Sequence, residues 1–86
     1  MARIYEMRQK EIINVRDGCR YGYISDVELD DESGKVKKIV VPGPGRLFGV
    51  FGREQEYVIP WDNVKQIGDD IILVDVETEK VLIDIE

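Results

Sequence analysis

The chain never sustains apolar residues at the three- and four-residue spacing of a packed helix. Short β-branched runs instead alternate with turn signals at intervals of roughly 8 to 12 residues. That spacing leaves an all-β sandwich or barrel as the arrangement that buries one side of each run. With 86 residues there is material for one core, so a single domain over 1–86 is expected. The longest unbroken aliphatic run, Ile71 to Val74, is far too short to span a bilayer as a helix. The opening Met1-Ala2-Arg3-Ile4-Tyr5-Glu6 carries charge where a signal peptide is apolar. A cytoplasmic protein with no membrane partner is the expectation.

The first run, Glu11 to Val15, closes at Arg16-Asp17-Gly18-Cys19-Arg20, where Asp-Gly supplies the positive φ of a tight turn. Tyr21 to Leu29 follows, and its apolar positions change parity between Ile24 and the pair Val27 and Leu29, which predicts a β-bulge near Ser25-Asp26. Asp30 to Lys35 forms a polar hairpin loop with Gly34 as its left-handed residue, and the strand Val36 to Val41 ends at Pro42. Beyond a glycine-rich stretch, Glu56 to Ile59 is a short strand. Pro60 to Gly68 is a tight or 3₁₀ turn that carries Trp61, Val64 and Ile67 inward. Tyr23 and Tyr57 are expected half-buried in the sheet. Ile71 to Val76 and Val81 to Ile85 are the last extended segments, with Val81, Ile83 and Ile85 sharing one face. This extra C-terminal strand either pairs as an additional edge strand, with a hairpin of its own the favoured arrangement, or reaches a second subunit. Residues 3 to 11 fit a helical turn or a strand equally well.

Charge narrows the function classes. Eighteen acids against twelve bases give a net charge of −6, and residues 1 to 68 are balanced, so the excess sits from Asp69 onward. A phosphate-backbone partner is disfavoured at that end, and nucleic acid is an unlikely partner overall. With no histidine and one cysteine, Cys19, neither a Cys/His zinc site nor a disulfide framework can form. Cys19 also lacks a histidine base, although Arg16 and Arg20 beside it would favour its thiolate. The acidic turns Asp30-Asp31-Glu32 and Asp69-Asp70 miss the spacing of an EF-hand loop. No catalytic residue, metal site or cofactor is expected.

The distinctive chemistry lies in the segment from Gly43 to Arg53. Leu47, Phe48, Val50 and Phe51 stand among glycines and are flanked by Arg46 and Arg53. The glycine spacing Gly-x-Gly-x-x-x-Gly matches neither a dinucleotide fingerprint nor a phosphate-binding loop. Either the two phenylalanines fold back and plug the end of the β fold, or they stay outside as apolar anchors with a cationic rim. In the second case Arg46, Leu47, Phe48, Val50, Phe51 and Arg53 form a partner-binding surface for another protein or a second copy of the chain.

Lys10 to Val15, Asp17-Gly18 and the strand Tyr21 to Leu29 resemble the opening of a PRC-barrel domain. The stretch from Val41-Pro42-Gly43-Pro44-Gly45 through Phe48-Gly49-Val50-Phe51-Gly52 to Ile59-Pro60-Trp61 is similar to the signature region of its YlmC/YmxH subgroup, small proteins named for sporulation. The resemblance covers about residues 7–76 and leaves 77–86 as a C-terminal extension. It implies a small, strongly bent β-barrel that serves as an interaction module without a known active site. The same fold occurs behind another domain in the ribosome maturation factor RimM, so the alternative implied function is an accessory in RNA processing or ribosome assembly.

Overall fold

The computed structural model describes residues 3–44 and 54–85 of the protein. A single helical turn, α1 (Ile4–Met7), leads into β1 (Glu11–Asn14), β2 (Arg20–Tyr23), β3 (Asp26–Leu29) and β4 (Val36–Pro42). After β5 (Glu54–Pro60) and a 3₁₀ turn (Trp61–Asn63) come β6 (Val64–Ile67), β7 (Ile71–Val74), a second helical turn α2 (Thr78–Val81) and β8 (Leu82–Ile85).

The strands form two four-stranded sheets, ordered β2-β1-β7-β6 and β3-β4-β5-β8. Neighbours run antiparallel except β1 and β7, which pair in parallel from Glu11 opposite Ile71 to Asn14 opposite Val74. The two sheets face each other across one core. Ile12, Ile72 and Val74 enter it from the first sheet and Ile39, Val41 and Ile59 from the second, all fully buried. Each such side chain removed from water contributes about 1.5–3 kcal/mol. Tyr21 on β2 stacks against Tyr57 on β5 with ring centroids 4.3 Å apart, linking the sheets through aromatic surface.

Local chemistry explains the ends of these elements. The Glu6 carboxylate accepts the Arg3 N–H at 3.1 Å, starting the helical turn that buries Met7; between the two alternatives for residues 3 to 11, the turn is what forms. Gly18 and Gly34 both adopt φ +74°, the left-handed conformation predicted for each turn. Asp17 Oδ1 accepts the Cys19 N–H, and Asp30 Oδ1 accepts those of Glu32 and Ser33, so each aspartate closes its own loop. The bonds from Glu32 and Ser33 hold the Asp30 carboxyl below its ordinary pKa.

Four sequence expectations need correction. The parity change near Ser25-Asp26 is real, but no bulge lies there: β2 stops at Tyr23, and the chain passes through buried Ile24 and Ser25 into the other sheet. The Ser25 N–H bonds the Val40 carbonyl at 2.8 Å, and the register shifts fall instead at Ile12/Ile13, Glu28/Leu29 and Val64/Gln66. Second, β8 is an additional edge strand, as one alternative had it, but it does not form the favoured hairpin with β7. The helical turn α2 redirects the chain so that β8 becomes an edge strand on β5, with Leu82 opposite Tyr57. Because Val81 belongs to that turn, strand parity starts one residue later: Leu82 packs on the core and Ile83 is 43% exposed. Third, the stretch after Trp61 continues as β6, with Trp61, Val64 and Ile67 partly buried against the core. Fourth, Tyr57 is buried, whereas Tyr23 is exposed. Among the described residues no helix is long and apolar enough to cross a membrane.

Candidate interaction site

The apolar segment marked out by the sequence springs from the hairpin formed by β4 and β5. Antiparallel pairing runs down to Pro42 opposite Glu56, and one further bond, Gly43 N–H to the Gln55 carbonyl at 2.8 Å, clamps the base. A Cβ at position 43 would lie 2.9 Å from the Gln55 carbonyl carbon and oxygen, so this crossing requires glycine. On its other flank β5 carries β8, and the Gln55 side-chain amide donates to Asp84 Oδ1 at 3.0 Å. The chain therefore leaves and re-enters at one fixed end of the second sheet. The residues expected to make the surface, Arg46, Leu47, Phe48, Val50, Phe51 and Arg53, lie outside the described residues.

The outer side of the same sheet carries an open groove of about 580 Å³. Val58, Pro60, Val81 and Ile83 give it apolar walls, and Lys38 and Arg16 stand at its sides. Arg16 is committed within the chain: its guanidinium meets Asp75 at 2.9 Å and Glu77 at 3.3 Å, which raises its pKa further. Lys80 reaches Glu77 at 3.4 Å. Cation and carboxylates here neutralise one another, and such exposed pairs contribute little to stability.

Burial, reinforced by the Asp17 carboxylate, pushes the Cys19 thiol above its ordinary pKa. This reverses the expectation that Arg16 and Arg20 would favour its thiolate: those guanidinium groups turn to Asp75, Glu77 and Glu11 instead. Ser25 Oγ bonds the Val40 carbonyl, and Thr78 Oγ1 donates to the Asp17 carboxylate at 3.2 Å. Among the described residues no group of three or more acidic or cysteine side chains is placed to hold a metal ion.

One residue that organises the molecule escapes notice in the sequence. Asn14, fully buried, donates through Nδ2 to the Tyr21 hydroxyl (3.1 Å) and the Val76 carbonyl (2.8 Å). Its Oδ1 accepts the N–H groups of Val76 (3.1 Å) and Arg16 (3.3 Å). The Tyr21 hydroxyl in turn bonds Thr78 Oγ1. These contacts tie the end of β1 to the segment that crosses between the sheets toward β8. An asparagine within an isoleucine- and valine-rich strand is the signal that could have revealed it.

Two facing sheets and a β4–β5 hairpin clamped at its base define the described fold. Residues 1–81 match the PRC-barrel domain, whose fold is a β-barrel, and the chain belongs to that family. It is 42% identical over 74 residues to the "Probable sporulation protein YlmC" of Bacillus subtilis strain 168, covering 86% of this chain and 91% of that protein. It is 35% identical over 71 residues to an uncharacterized protein of Clostridium acetobutylicum, covering 83% and 80% of the two chains. The uncharacterized protein YmxH of B. subtilis is 28% identical over 79 residues, covering 90% and 92%. The family match ends at Val81, the residue before β8.

Proposed function

We propose that this chain is a non-catalytic cytoplasmic interaction module that binds a protein partner through the segment from Gly43 to Arg53, in a process linked to sporulation. The observation that carries this reading is the setting of the segment. In sequence, four large apolar residues and two arginines lie between β4 and β5, whose pairing is held at its end by Pro42–Glu56 and the Gly43–Gln55 bond. A rigid base lowers the entropy lost when a partner orders the segment. Phenylalanines flanked in the sequence by arginines are the residue types that protein interfaces use for an apolar centre and a polar rim. The link to sporulation rests on the name of the B. subtilis relative alone. The acid excess from Asp69 onward disfavours the alternative of direct RNA contact.

The test replaces Phe48 and Phe51 together by Ser. The variant is expected to keep the far-UV circular dichroism of the parent and to lose a protein that the parent captures from a lysate of its native organism. Loss of folding would instead assign the two rings to plugging the barrel and overturn the docking role.

A further inference from the structure

We propose that the outer face of the first sheet is a two-fold interface between copies of this chain, separate from the Gly43 to Arg53 segment. Along β1 the side chains of Ile12 and Asn14 are buried, so Glu11, Ile13 and Val15 point the other way. On β7 the same alternation turns Ile71 and Leu73 outward. Register places these residues side by side. Tyr23 lies opposite Glu11, which in turn lies opposite Ile71; Arg20 lies opposite Ile13, which lies opposite Leu73. The outcome is a patch of Ile13, Val15, Ile71, Leu73 and Tyr23 in which Val15 is 49% and Tyr23 54% exposed. Among the described residues, the substantial contacts of β1, β6 and β7 are with strands of their own sheet, and the second sheet packs on the opposite side.

Charge identifies the occupant. The chain carries −6, so two copies repel wherever their acid excess meets. On this face the charges of β1 and β2 are one acid and one base, Glu11 and Arg20, joined by two hydrogen bonds of 3.0 and 2.7 Å. Among the described residues, the outward positions of the second sheet, by contrast, set Asp26, Glu28 and Glu56 against Lys38 alone beside the apolar Val58, Pro60 and Ile83. Where β1 and β2 meet, the two charges cancel, and an apolar patch that carries one such pair matches itself. Two-fold apposition allows Glu11 and Arg20 to exchange partners between copies at no net charge, as an isologous interface requires. A strongly charged partner would find nothing here to select it.

Sedimentation velocity of the full chain at about 50 μM tests this, since mass action favours the dimer there. The parent is expected at twice its 9.9 kDa. Leu73→Lys and, independently, Tyr23→Lys should each weaken the dimer about tenfold or more by burying an unpaired cation. Tyr23 is exposed enough for its variant to fold even if Leu73→Lys does not. The Phe48→Ser/Phe51→Ser variant should remain dimeric, which separates this proposal from the one for the segment. A monomeric parent, or folded lysine variants that sediment as dimers, would overturn it.

Discussion

Strand β1 carries two polar groupings on opposite sides, and they do different work. On the inner side, Asn14 makes four hydrogen bonds in full burial and joins β1, β2 and the crossing segment at Val76. On the outer side, Glu11 and Arg20 pair in solvent. The inner group has no alternative partner once the fold is made, so its bonds specify the route of the chain between the sheets. The outer pair can open at little cost, because water replaces each partner. Polar chemistry inside the sheet therefore fixes the fold, while polar chemistry outside is free to serve association.

Removing the inner anchor has the largest expected effect. Asn14→Leu strands the N–H and carbonyl of Val76 and should destabilise the fold by about 3 kcal/mol, read from a urea midpoint that falls without a change in slope. A loss under about 0.5 kcal/mol would mean that the cluster is incidental. Tyr21→Phe takes only the hydroxyl and keeps the ring stacked on Tyr57. Its cost should be about 1 kcal/mol, with Asn14 Nδ2 left one bond short.

Two pH dependences sharpen the same contrast. Burial raises the pKa values of Tyr21 and Tyr57, and burial with Asp17 raises that of Cys19. These folded groups hold their protons more tightly than unfolded ones. Their contribution to stability is full below the unfolded values, about 8.5 for a thiol and 10 for a phenol, and is lost as pH rises through the folded ones. The urea midpoint should fall on that side, and Cys19→Ser should remove the earliest part of the fall.

The smallest effect belongs to the outer pair. A hydrogen bond from Arg20 holds the Glu11 carboxyl below its ordinary pKa. Stability from this source is present above the unfolded value, about 4.3 for a glutamate, and disappears as pH drops through the folded one. Glu11→Gln should leave the neutral-pH midpoint almost unmoved and flatten its decline in acid. A steep loss at neutral pH would place Glu11 with the inner group.

Much of this was legible in the residues. Alternation along Glu11 to Val15 and Val36 to Val41, and the turn chemistry of Asp17-Gly18 and Gly34, are local signals, and local sterics decide them. The family followed from the same stretches together with the glycine-phenylalanine segment. Pairing partners were harder to see. The parity break at Ser25-Asp26 fits a bulge or an exchange of sheets equally, because both move one residue across the mean plane. The place of β8 depends on α2, a turn too short to leave helical periodicity. The role of Asn14 is not a local signal, because the Val76 groups it bonds lie 62 residues away. The surface expected at Arg46, Leu47, Phe48, Val50, Phe51 and Arg53 was legible as composition alone, and its setting at the β4–β5 hairpin came from the fold.

The most direct measurement puts a photo-crosslinking phenylalanine analogue at position 48 of the full chain and irradiates living cells of the native organism. Docking through the segment predicts a discrete adduct with one other protein, heavier than the chain and absent when position 23 carries the analogue. Crosslinks confined to the chain's own core residues, with no adduct, would contradict it.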